Sequence, residues 1–110
     1  VRSDAVRAPL RARLLARPLP DGTIAAWRMR IVGGDGTAQA MARLLGAEGA
    51  GFRSSALPSL PYAVPNQLIE AVEADLPVRL GYHRGELVMP ATFFTESFLD
   101  ELARLGGRDP

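Results

Sequence analysis

The sequence predicts an α+β two-layer sandwich. An antiparallel sheet built from two hairpins carries about three helices on one face, in the order ββα-loop-αββα. Three observations predict it. Residues 7–32 alternate apolar and polar side chains on either side of Asp21-Gly22. Segments 37–45, 67–76 and 92–105 space their apolar residues at helical intervals. Residues 78–89 return to alternation around Arg84-Gly85. Each hairpin has one apolar face and each helix one apolar stripe, so helices stacked on a single side of the sheet bury them all.

The first hairpin is the clearest element. Pro20-Asp21-Gly22-Thr23 suits a tight turn, because Asp and Gly tolerate the positive φ angles of hairpin tips. With Asp21 and Gly22 at the tip, residues whose numbers sum to 43 face each other. One face then collects Val6, Ala8, Leu10, Ala12, Leu14, Ala16, Trp27, Met29 and Ile31. The other collects Arg7, Arg11, Arg13, Arg17, Arg28 and Arg30, with Leu15, Ala26 and Val32 among them. Leu14, Trp27, Met29 and Ile31 are expected in the core. Pro9 and Pro18 fit strand ends or an edge. The register sets Arg13 across from Arg30, a like-charge pair that costs up to about 1 kcal/mol. Water and salt, the chain's own acids, or an anionic partner are the three candidates to offset it.

A helix is expected from Thr37 to Leu45, capped by Asp35 or Thr37 and ended by Gly46, with Ala38, Met41, Ala42 and Leu45 turned to the core. Residues 46–66, GAEGAGFRSSALPSLPYAVPN, have no period and read as a long Gly- and Pro-containing loop, with an extended edge strand as one option around Phe52 to Leu57. Asn66 is a good cap for a short helix from Gln67 to Leu76, with Leu68, Ile69, Val72 and Leu76 in one stripe and Pro77 as its stop. Val78 to Met89 reads as a second hairpin turning at Arg84-Gly85, with Val78, Leu80, Tyr82, Leu87 and Met89 on one face and His83 opposite Glu86 on the other. The last helix is expected within 92–105, capped by Thr95, with Phe98, Leu99, Leu102 and Leu105 facing inward and Gly106-Gly107 closing it.

A length of 110 residues and a hydrophobic fraction of 47% suit one small domain over 1–110. Cysteine is absent, which removes disulfides, thiolate nucleophiles and Cys-ligated metal centres. His83 is the only histidine, so one chain has no multi-histidine metal site to offer. No apolar run approaches the roughly 20 residues that cross a bilayer. The opening VRSDAVRAPL lacks the apolar core of a signal peptide, so a cytoplasmic location with no membrane partner is expected. All thirteen basic residues are arginine, as GC-rich, bacterial-like coding favours. Residues 1–30 hold seven Arg against Asp4 and Asp21, a local net of +5. Residues 67–110 hold four Arg against eight acids, a net of −4. A basic front and an acidic rear can pair within the chain or present two faces to different partners.

Side chains suited to catalysis are sparse. Glu70 and Glu73 read as a solvated helix face rather than an acid–base pair. His83 beside Glu86 reads as a minor ion pair on a sheet surface. No catalytic residue, metal ligand or cofactor is assigned.

Gly33-Gly34-Asp35-Gly36-Thr37 resembles the GGDGT signature of the diacylglycerol kinase and NAD kinase families. The resemblance implies that Gly33, Gly34 and Gly36 approach a nucleotide's phosphates, with Asp35 near metal or substrate and Thr37 opening the helix. Glycine lets backbone N–H groups and a helix N-terminus meet an anion, so the implied chemistry is physically sound. The match covers five residues of 110. Those families set the motif on a buried parallel strand, apolar on both faces, and Trp27-Arg28-Met29-Arg30-Ile31 alternates instead. They also require a longer nucleotide-binding domain and a second domain. The preferred reading is that the glycines ease a strand into a capped helix. Ile31-Val32-Gly33-Gly34 is similar to the mature start of trypsin-like proteases, but it lies mid-chain in a domain about half the size. Ser97-Phe98-Leu99-Asp100-Glu101-Leu102 is similar to a helix start in some STAS-like regulatory domains, which favours a regulatory role and transfers no residue.

The expected function is a non-enzymatic binding or regulatory module. It engages an acidic protein surface, self-association included, through Arg11, Arg13, Arg17, Arg28 and Arg30. A nucleic-acid partner on the same face is the alternative; it is disfavoured because the face has no aromatic residue for base stacking and the net charge is only +1. A phosphate-binding enzyme fragment using Gly33 to Thr37 ranks third.

Overall fold

The computed structural model describes residues 6–46 and 59–110. Strands β1 (Leu10–Pro18) and β2 (Ile24–Gly33) lead into helix α1 (Gly36–Leu45), then strand β3 (Asn66–Glu73) and helix α2 (Val88–Leu105). The three strands form one sheet in the order β1-β2-β3. β2 is central, antiparallel to β1 and parallel to β3. The α+β class is as the sequence predicts. The sheet is mixed rather than antiparallel, and among the described residues two helices stand where three were expected.

The hairpin forms in the expected register. Leu10 faces Gly33, Arg13 faces Arg30 and Ala16 faces Trp27, with a shift only between Arg17 and Pro18. Its tip is fixed locally. Asp21 Oδ1 accepts from the Thr23 backbone at 2.9 Å and from the Thr23 hydroxyl at 2.7 Å. Gly22 takes φ +87°, which an L side chain resists. The Thr23 hydroxyl, and then its N–H, hold the Asp21 carboxyl below the usual carboxylate value.

Residues 67–76 are not a helix. Asn66–Glu73 pairs along β2 as β3, from Ala26↔Asn66 to Gly33↔Glu73. Short isolated helices are marginal in water, so tertiary pairing decides such a segment. As a strand it places Ile69 and Ala71 against the core and Leu68, Glu70 and Val72 on the opposite side. Asn66 acts as a strand anchor instead of a cap, its Nδ2 donating to Ala25 O at 2.9 Å.

The second hairpin does not form either. Residues 74–87 run as coil and turns, and the turn at Gly85 (φ +71°) opens a helix. Met89 N–H donates to Gly85 O at 3.0 Å. α2 therefore starts at Val88, earlier than expected, with Pro90 in its first turn where no intrahelical N–H is needed. Thr95 is no cap; it is buried mid-helix, its hydroxyl 3.9 Å from Met29 Sδ.

α2 covers one face of the sheet. Trp27, Met29, Ile31, Leu60, Val64, Leu87 and Ala91 form the buried core, with Leu14, Ile69, Phe94, Phe98, Leu99 and Leu102 packed against it. Leu14 is only half-buried. Phe98 meets Trp27 edge-on at 5.3 Å between ring centroids. The 46–66 segment contributes Leu60 and Val64 to this core and starts β3 at Asn66; its residues 47–58, the Phe52 to Leu57 option included, lie outside the described residues.

Helix α1 has the expected ends, Asp35 as N-cap and a left-handed Gly46 as C-cap. Its stripe is not buried, contrary to expectation. Met41 and Leu45 are exposed, and Leu44 is 78% exposed. Polar contacts hold it to the 80–86 segment: Leu80 N–H donates to Gln39 Oε1 at 3.0 Å, and Arg43 Nη2 donates to Leu80 O at 2.5 Å. Among the described residues no helix is long and apolar enough to cross a membrane.

Candidate functional site

The face of the sheet opposite α2 holds all five predicted arginines. Period two places them there, and the strand registers align them in rows. Arg11, Val32 and Val72 form one row; Arg13, Arg30 and Glu70 form the next. Leu15, Arg28 and Leu68 form the third, and Arg17, Ala26 and Asn66 the fourth. Arg11, Arg13, Arg17, Arg28 and Arg30 are all exposed. At the middle of this surface, Leu15 and Leu68 are 50% and 49% exposed on either side of Arg28.

Among the described residues one carboxylate answers the five guanidinium groups. Glu70 Oε2 lies 2.9 Å from both Nε and Nη2 of Arg28. Both side chains are partly solvated, so the pair adds little stability and mainly fixes the Arg28 plane. Glu70 is the register neighbour of Arg30, yet it pairs with Arg28. Among the described residues Arg11, Arg13, Arg17 and Arg30 have no hydrogen-bonded or ion-paired side-chain partner. Among the described residues the Arg13–Arg30 juxtaposition is thus left to solvent.

The Gly33 to Thr37 segment follows a strand with a parallel neighbour and opens a helix, as its resemblance implies. Its donors, however, point to a carboxylate of the same chain. Gly36 N–H donates to Glu86 Oε1 at 3.0 Å, and Thr37 N–H and Oγ1 donate to Glu86 Oε2 at 3.1 and 3.2 Å. Glu86 is only 7% exposed. A helix N-terminus favours a nearby negative charge, so the arrangement is stable without any ligand. Asp35 accepts from Ala38 N–H at 2.8 Å and is buried as a cap. Gly36 is needed for closeness: a Cβ there would collide with Glu86 Oε1 and Gly81 O.

Glu86 therefore does not pair with His83. The His83 ring nitrogen Nδ1 lies 3.0 Å from Arg84 O. Among the described residues no group of three or more His, Asp or Glu side chains is placed to hold a metal ion.

Three residues of these two places are not legible as such in the sequence. Glu70 is expected on a helix, so its position beside Arg28 depends on the unpredicted strand. Leu68 joins the face for the same reason. Glu86 is fifty positions from Gly36 in the chain, and no local pattern links them. No protein-family model matches the chain, and no curated protein or solved structure matches it significantly.

Proposed function

We propose that this chain is a non-enzymatic binding module whose arginine-bearing sheet face engages an acidic protein surface. The observation that carries the reading is the third row of the sheet, where exposed Leu15 and Leu68 flank Arg28 inside a field of arginines. An apolar centre with arginine around it is the composition of protein interfaces. Arg13 and Arg30 stand opposite each other with one neighbouring carboxylate among the described residues, and an acidic partner would relieve that repulsion. A nucleic-acid partner is less well supported, because among the described residues no aromatic side chain lies on the face for base stacking. Phosphate chemistry at Gly33 to Thr37 is less well supported again, because the Gly36 and Thr37 donors are engaged by Glu86.

The test compares two probes on the full chain. One is an extended peptide alternating glutamate and leucine; the other is a duplex DNA of generic sequence. The reading expects saturable peptide binding at physiological salt and negligible DNA binding. DNA affinity that falls with salt at a log–log slope of about −0.9 per phosphate contact, with no peptide binding, would replace it with the nucleic-acid reading.

A further inference from the structure

A second place in the molecule has the shape of a ligand site and uses none of the five arginines. Between the β1–β2 turn and the C-terminal half of α2 lies a cleft of about 680 Å³. That volume falls within the roughly 300–1,000 Å³ typical of small-molecule sites. Ile24, Leu99 and Leu102 pack on the core with one side and line the cleft with the other. The fold thus leaves apolar surface uncovered in a concave place, which is where a ligand gains most from desolvation.

The polar groups of the cleft have one dominant sign. Glu96 and Asp100 line it one helical turn apart on α2. Tyr62 lines it too, and its phenol donates to Glu96 Oε2 at 2.8 Å. That hydrogen bond holds the Tyr62 pKa above its ordinary value. The cation of the lining, Arg108, donates to Asp21 O at 2.6 Å at the hairpin tip. Carboxylates beside a tyrosine ring suit an organic cation, by charge and by the ring's negative face.

We propose that this cleft binds a small amphipathic cation, an apolar chain bearing an ammonium head. The head sits by Glu96, Asp100 and Tyr62, and the chain lies along Leu99, Leu102 and Ile24. An anionic amphiphile of the same length meets the same apolar floor but the wrong charge, and is rejected.

The experiment titrates the full chain with decyltrimethylammonium and, separately, with decanoate, both below their micelle concentrations, by calorimetry. The expected result is a one-to-one complex with the cation at a Kd on the order of 100 µM, with decanoate at least about tenfold weaker. Glu96→Gln with Asp100→Asn should remove that preference, and Ala103→Trp should abolish binding by filling the cleft. Amide shift mapping of the unmutated chain supplies a readout that needs no variant to fold: the expected perturbations centre on Leu99, Leu102 and Ala103. Absence of saturable cation binding, equal affinity for decanoate, or perturbations confined to α1 or to the arginine face would each overturn the assignment.

Discussion

Arg13 and Arg30 are register partners in the antiparallel pair of β1 and β2, two guanidinium-bearing residues set directly opposite each other on an exposed sheet face. Such a pair is unfavourable by up to about 1 kcal/mol in an isolated fold. Its persistence is explained if the face is built for association. Replacing both by alanine should therefore leave the monomer slightly more stable, by a few tenths to about 1 kcal/mol, in urea denaturation. A less stable double variant would show that the pair is already neutralised within the chain.

The Glu86 carboxylate holds the start of α1 through three hydrogen bonds. Glu86→Ala leaves the Gly36 and Thr37 donors without that acceptor, and α1 has little apolar burial to compensate. The expected loss is about 1–3 kcal/mol. Amide hydrogen exchange at Gly36, Thr37 and Ala38 should accelerate more than at Met29 or Ile31. Uniform acceleration across the sheet would instead make Glu86 part of the global core. Gly36→Ala, whose Cβ meets Glu86 and Gly81, should produce the same local pattern.

Ile31 is fully buried on the central strand β2, between Ala12 and Ala71. Ile31→Ala should cost about 2–5 kcal/mol, read as a lower denaturation midpoint with an unchanged slope. Its outward neighbour Arg30 provides the contrast, since Arg30→Ala alone should move the midpoint little.

Asp21 has a lowered pKa because it accepts from the Thr23 hydroxyl and N–H. A depressed carboxylate contributes stability that is present above its unfolded pKa of about 3.9 and is lost as pH falls through the folded value. Carboxyl NMR titration should place the Asp21 midpoint below the ordinary aspartate value. Thr23→Val should return it upward and loosen the tip in acid. An Asp21 midpoint indifferent to Thr23→Val would contradict the assigned cause.

The legibility of each element in the sequence depends on how local its signal is. Asp21-Gly22 and strict alternation specify a hairpin within about two dozen neighbouring residues, so register and exposed arginines are readable to the pair. The caps Asp35 and Gly46 are equally local. Residues 67–73 carry both a helical stripe, through Leu68, Ile69 and Val72, and a period-two pair, Ile69 and Ala71, and only the free edge of β2 resolves the conflict. The Arg84-Gly85 turn is legible, but the helix beyond it depends on Leu87, Ala91 and Phe94 packing on the sheet. Met41 and Leu45 have the spacing of core residues, and spacing cannot say whether a surface is there to receive them. The grip of Glu86 on Gly36 and the pairing of Glu70 with Arg28 are long-range contacts with no sequence period at all.

The proposed function makes the arginine face a protein interface with an apolar centre, not a patch of charge. Leu15→Ser with Leu68→Ser tests it most directly, because the change leaves every arginine and Glu70 in place. Calorimetric titration with the alternating glutamate–leucine peptide at physiological salt should show affinity reduced at least about tenfold, a loss of about 1.4 kcal/mol. Unchanged affinity in that variant, with binding removed only by Arg13→Ala and Arg30→Ala, would contradict the claim and leave a purely electrostatic surface.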